Sequence, residues 1–67
     1  MNRYETEIDA LVEAGKAAQS NGLGYAYAVE WQDHWSVETR KPSFRGMKNG
    51  RPTKVFEARA DGGRLWA

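Results

Sequence analysis

Residues 23–31 read LGYAYAVEW. Leu23, Tyr25, Tyr27, Val29 and Trp31 alternate with Gly24, Ala26, Ala28 and Glu30, which is the two-residue period of a β-strand with one large face and one small face. Gln32-Asp33-His34 interrupts the pattern. It then resumes, with Trp35, Val37 and Thr39 alternating with Ser36, Glu38 and Arg40. Two strands joined by so short a break predict a β-hairpin. Strands usually turn their apolar face inward, so the Tyr25, Tyr27 and Trp31 face is expected to form the core. The flat face of Gly24, Ala26 and Ala28 is then expected to lie outside, where a second copy or another protein could approach closely.

Toward the N-terminus the period changes. Tyr4, Ile8, Leu11, Val12, Gly15 and Ala18 recur at helical spacing, and Asn2 with Glu5 matches a capping box. Glu5, Glu7 and Asp9 lie where the helix dipole favours negative charge. Gln19-Ser20-Asn21-Gly22 supplies a stop. These signals predict a helix over residues 3–20, packed through Ile8, Leu11 and Val12. Toward the C-terminus, Pro42, Gly46, Asn49-Gly50 and Pro52 break the chain into a long loop over residues 41–52. Residues 53–60, with Val55 and Phe56 central, read as a third strand ended by Asp61-Gly62-Gly63, and Leu65 and Trp66 as an apolar tail able to fold back over the core. The expected fold class is α+β. One N-terminal helix packs on a three-stranded antiparallel sheet (α-β-β-β) in two layers, and residues 1–67 form a single domain. One helix covers one face of a sheet, so the other face is expected to meet solvent, a partner or a second copy.

The chain has 67 residues, no cysteine and one histidine. A domain of this size buries about 60% of the surface its unfolded chain exposes, and its core rarely supplies more than ~3–5 kcal/mol. Without cysteine there is neither a disulfide nor a thiolate metal site. His34 with scattered carboxylates offers too few ligands for a closed metal centre, so no metal and no cofactor is expected. The N-terminal sequence MNRYETEIDA is polar, unlike a secretory leader. No apolar run approaches the roughly 20 residues of a membrane span. A cytoplasmic protein with no membrane partner is the expectation.

Charge is distributed unevenly. Residues 1–39 carry seven acids and two bases, residues 40–54 carry six bases and no acid, and the whole chain has a net charge of +1. The candidate binding residues are therefore Arg40, Lys41, Phe44, Arg45, Lys48, Arg51 and Lys54. The six bases could neutralise phosphates or meet an acidic protein surface, and Phe44 could stack on a base or insert at a duplex step. Gly50-Arg51-Pro52 is similar to the core of the AT-hook, a minor-groove element, with Asn49 where that motif has Arg. The alternative is a solvated connection whose charges keep the chain soluble.

Other constellations point less far. Tyr25, Tyr27 and Trp31, with Trp35 nearby, could form a stacking platform for single-stranded nucleic acid if they did not form the core. Asp33, His34 and Glu38 could perform acid–base chemistry, but no serine or second base stands at a telling position, and polar residues are common in turns. An enzyme would come back into view if His34 lay in a pocket beside Asp33 or Glu38. Glu5, Glu7, Asp9 and Glu13 could imitate phosphates, although Arg3 and Lys16 dilute them. Gly22-Leu23-Gly24 precedes a strand, whereas a dinucleotide-binding loop follows one.

In length, aromatic content and lopsided charge the chain resembles the small orphan proteins of phages and mobile elements, including anti-CRISPR and other anti-defence inhibitors and small phage DNA-binding proteins. That resemblance implies a non-catalytic inhibitor or adaptor that docks on a host protein or nucleoprotein complex in a bacterial cytoplasm. Direct nucleic-acid binding through residues 40–54 is the alternative, and a homodimer through the exposed sheet face is a further possible partner.

Overall fold

The computed structural model describes residues 3–41 and 52–66. Helix α1 spans Glu7–Ser20. The strands are β1 (Tyr25–Glu30), β2 (Trp35–Glu38), β3 (Lys54–Arg59) and β4 (Arg64–Trp66). The sheet has the order β2-β1-β3-β4, with every pair antiparallel, and α1 packs on it. The α+β expectation of one helix on an antiparallel sheet, with β1 and β2 as a hairpin, is met. Two features extend it. β3 pairs with β1 rather than with β2, so β2 and β3 flank β1 and run parallel to each other. The Leu65 and Trp66 tail is a fourth strand, with Leu65 paired to Glu57 and Trp66 to Phe56.

The helix begins later than its sequence pattern predicts. Tyr4 N–H donates to the Trp35 carbonyl at 2.8 Å and Trp35 N–H to the Tyr4 carbonyl at 2.7 Å, so residue 4 adds an isolated bridge to the β2 edge. A backbone committed to that bridge cannot also be helical. Thr6 becomes the N-cap, with φ −125° and ψ 155°, and its Oγ1 accepts from Asp9 N–H at 3.2 Å, satisfying one of the donors that a helix start leaves open. At the other end Asn21 joins helix to sheet. Its Nδ2 donates to the Tyr25 carbonyl at 2.9 Å and its Oδ1 accepts from Leu23 N–H at 2.8 Å.

The sheet face expected to form the core is corrected, and of the expected helix residues only Leu11 keeps its place there. The helix buries Ala10, Leu11, Ala14 and Ala18, while Ile8 is 72% and Val12 45% exposed. The sheet buries Ala26, Ala28 and Ala58 against it, with Trp35 and Phe56 stacked at one end, centroids 6.3 Å apart. The reason is register. Pairing Ala26 with Ala58 and Ala28 with Phe56 and Val37 puts these side chains on one face, and a methyl-lined sheet lets an alanine-lined helix approach closely. The small-residue face is thus inside and the tyrosine face is turned away from α1. That second face has its own buried centre, Val29 opposite Val55 and Ser36.

Candidate functional site

Of the candidate binding residues, Arg40, Lys41 and Lys54 are described, and all three are exposed. Phe44, Arg45, Lys48 and Arg51 lie outside the described residues, as does most of the expected 41–52 loop. Arg40 and Lys41 follow β2, and Lys54 opens β3. Glu38, the last residue of β2, is level with Tyr27, and Lys54 is level with Glu30. The two junctions of the basic segment therefore lie on opposite sides of β1, offset along it by about 10 Å at a strand's rise per residue. The β3 junction is fixed firmly. Thr53 N–H donates to the Glu30 carbonyl at 2.7 Å, Thr53 Oγ1 donates to Glu30 Oε1 at 2.6 Å, and Pro52 is buried.

The tyrosine face carries carboxylates. Tyr25 and Tyr27, half-buried, meet edge to face with centroids 5.7 Å apart. The Tyr27 hydroxyl donates to Glu57 Oε1 at 3.4 Å, and Arg59 Nε donates to Glu57 Oε2 at 2.9 Å. Partial burial raises the Tyr27 phenol above its usual pKa, and the Glu57 carboxylate raises it further. Register places Glu38 beside Tyr27 on this same face. A stacking platform for nucleic acid needs cations around its rings. Among the described residues, two carboxylates stand beside the central ring, against the guanidinium of Arg59. The third member of the expected stripe, Trp31, is engaged elsewhere. Its Nε1 donates to the buried Ser36 Oγ at 2.8 Å, and its ring stacks on His34.

Asp33 and His34 are brought together and Glu38 is not. His34 Nδ1 and Asp33 Oδ1 are 2.6 Å apart, and Arg3 Nη2 donates to Asp33 Oδ2 at 3.1 Å. The His34 contact, then Arg3, hold the Asp33 carboxyl below its ordinary value. Glu38 lies at the other end of β2. The pair borders a hollow of about 250 Å3 whose wall includes Glu5, Glu30, Trp31 and Trp35. This is the arrangement that would bring an enzyme back into view. Among the described residues its wall nevertheless holds no hydroxyl or thiol for His34 to activate, since Ser36 and Thr53 are not part of it. What the Asp33 carboxylate visibly does is tie the N-terminal segment to the hairpin turn. Among the described residues, no group of three or more His, Cys, Asp or Glu side chains is placed to hold a metal ion. The helix acids are dispersed around α1. Glu7 lies toward the core and is half-buried, Asp9 is exposed, and Glu13 pairs with Lys16 at 3.3 Å. Among the described residues no helix is long and apolar enough to cross a membrane.

A second hollow, of about 190 Å3, lies between α1 and the β3–β4 turn and is bordered by Leu11, Val12, Gly15, Lys16 and Arg59. Helical periodicity gave no sign of it, because it depends on the turn at Gly62 meeting the helix. Comparisons with protein-family models, curated proteins and solved structures find no match.

Proposed function

We propose that this protein is a non-catalytic binding module, an inhibitor of the phage or mobile-element kind, which docks on a host protein or nucleoprotein complex in the bacterial cytoplasm. The observation that carries this reading is the division of charge across a small scaffold. An excess of acids on residues 1–39 adjoins six bases on residues 40–54, and the described bases of that segment, Arg40, Lys41 and Lys54, all reach solvent at its two junctions. Such an arm steers the molecule toward an acidic surface and fixes its orientation there. The carboxylates on the tyrosine face favour contact with protein over contact with phosphate.

The test is charge reversal of Arg45, Lys48 and Arg51 to Glu, followed by affinity capture from host lysate with and without nuclease. The expected result is one protein complex recovered by the native chain after nuclease treatment and lost by the triple variant. Unchanged recovery by the triple variant would remove the arm from the interaction. Direct nucleic-acid binding through residues 40–54 is checked separately by gel shift. A shift at about 50 mM salt that weakens by orders of magnitude at about 200 mM is the signature of several phosphate contacts, and its appearance would favour that second reading.

A further inference from the structure

Helix α1 leaves a second stripe uncovered. At about 100° per residue, Ile8, Val12, Gly15 and Gln19 fall on one line, turned away from the alanines that face the sheet. Ile8 is 72% and Val12 45% exposed. A Cβ built at Gly15 would meet nothing within 4 Å, so the line has a notch, and the notch opens into the hollow beside Leu11 and Arg59. Asp9 and Lys16 lie along the solvent side of this line, both exposed, and the Lys16 ammonium, 3.3 Å from Glu13 Oε1 within its own helix, keeps a solvent-facing side open to a second carboxylate.

We propose that this stripe is the interface of a symmetric homodimer in which two α1 helices pack antiparallel. The sequence of the helix is self-complementary about a two-fold axis passing beside Val12 and Glu13. Residue i of one copy then lies level with residue 25 − i of the other. Asp9 therefore faces Lys16 of the second copy, and Lys16 faces its Asp9, because the two residues share one flank and a two-fold axis of this orientation keeps that flank on the same side. The stripe interlocks as well. Gly15 of each copy comes level with the gap between Ile8 and Val12 of the other, so two apolar side chains straddle a position with no side chain. The helix dipoles oppose each other, which favours the antiparallel arrangement. A second copy thus answers the apolar line, the notch and the flanking charges together. The interface is distinct from the small-residue sheet face, which the helix occupies.

The experiment is the mass of the full chain in solution by light scattering and sedimentation, at about 1 µM and about 1 mM, since dimers dissociate on dilution. The native chain is expected to move from its 7.6 kDa monomer mass toward twice that value. Val12→Glu should weaken the dimer at least ~10-fold, or ~1.4 kcal/mol, with an unchanged circular-dichroism spectrum. Asp9→Lys alone should weaken it by placing like charges opposite each other, and Asp9→Lys with Lys16→Glu should restore it. A monomer at the higher concentration would overturn the proposal. So would a dimer indifferent to Val12→Glu, or one in which the double variant is as weak as the single.

Discussion

Gly62 adopts φ 90° at the tip of the β3–β4 hairpin. Its N–H donates to the Arg59 carbonyl at 2.9 Å, Arg59 N–H donates to the Gly63 carbonyl at 2.8 Å, and Asp61 Oδ1 accepts from Gly63 N–H at 2.8 Å. This is a tight turn closed by a left-handed residue, the geometry that a three-residue hairpin loop demands. Any L side chain there is strained, although space is available. Gly62→Ala is expected to cost about 1–2 kcal/mol, read as a shift in the urea midpoint at unchanged slope. Asp33 sets a different sensitivity. Its folded pKa lies below the ordinary 3.8 because of His34 and Arg3. The unfolded state therefore takes up its proton first as pH falls, and the stability linked to Asp33 is present above about pH 4 and disappears as pH drops through the lower folded value. Asp33→Asn should remove that contribution. The two proteins should differ in denaturation midpoint at pH 6, and the difference should narrow steadily as pH falls below about 4. A difference that stays constant over that range would trace to something other than this ionisation.

At the scale of elements, the contact between α1 and the sheet is built from methyl groups. Ala14 is fully buried, so Ala14→Leu is expected to push α1 off the sheet and cost about 1–3 kcal/mol, measured by thermal unfolding. The elements themselves were legible in the sequence. The two-residue alternation from Tyr25 and the stop at Asn21 fixed where strand and helix lie. What could not be read was which face turns inward. Hydrophobicity points to Tyr25, Tyr27, Ile8 and Val12, whereas the packing obeys fit, and three helix alanines match three sheet alanines better than they match tyrosines. The helix start was also misplaced, because the competitor for residue 4 was Trp35, a partner 31 positions away that no local capping signal reveals. Asp61-Gly62 was recognisable as a turn. Its role as a hairpin loop depended on three residues, Arg64–Trp66, that are too short a run to announce a strand.

For the whole molecule, the charge map was readable before any fold, and the fold supplies its geometry. The basic segment leaves β2 beyond the level of Tyr27 on one side of β1 and returns level with Glu30 on the other, so a partner that meets Arg40, Lys41 and Lys54 together must reach both across and along the sheet. Reversing those three exposed charges to Glu should weaken any charge-steered association mainly through its on-rate while leaving the unfolding midpoint within about 0.5 kcal/mol of the native value. A loss of affinity carried by faster dissociation, seen by surface plasmon resonance, would instead place these bases inside the contact. The strand order has a consequence for how the chain reaches this state. β1 takes its two neighbours from very different distances. Glu30 pairs with Trp35, five positions on, and with Lys54, twenty-four positions on. Closing the longer loop costs roughly 1.4 kcal/mol more in chain entropy than closing the shorter. The hairpin of β1 and β2 is therefore expected to form before β3 docks. Because loop entropy grows only with the logarithm of length, lengthening the β2–β3 connection should slow refolding, followed by stopped-flow fluorescence, by no more than a few-fold.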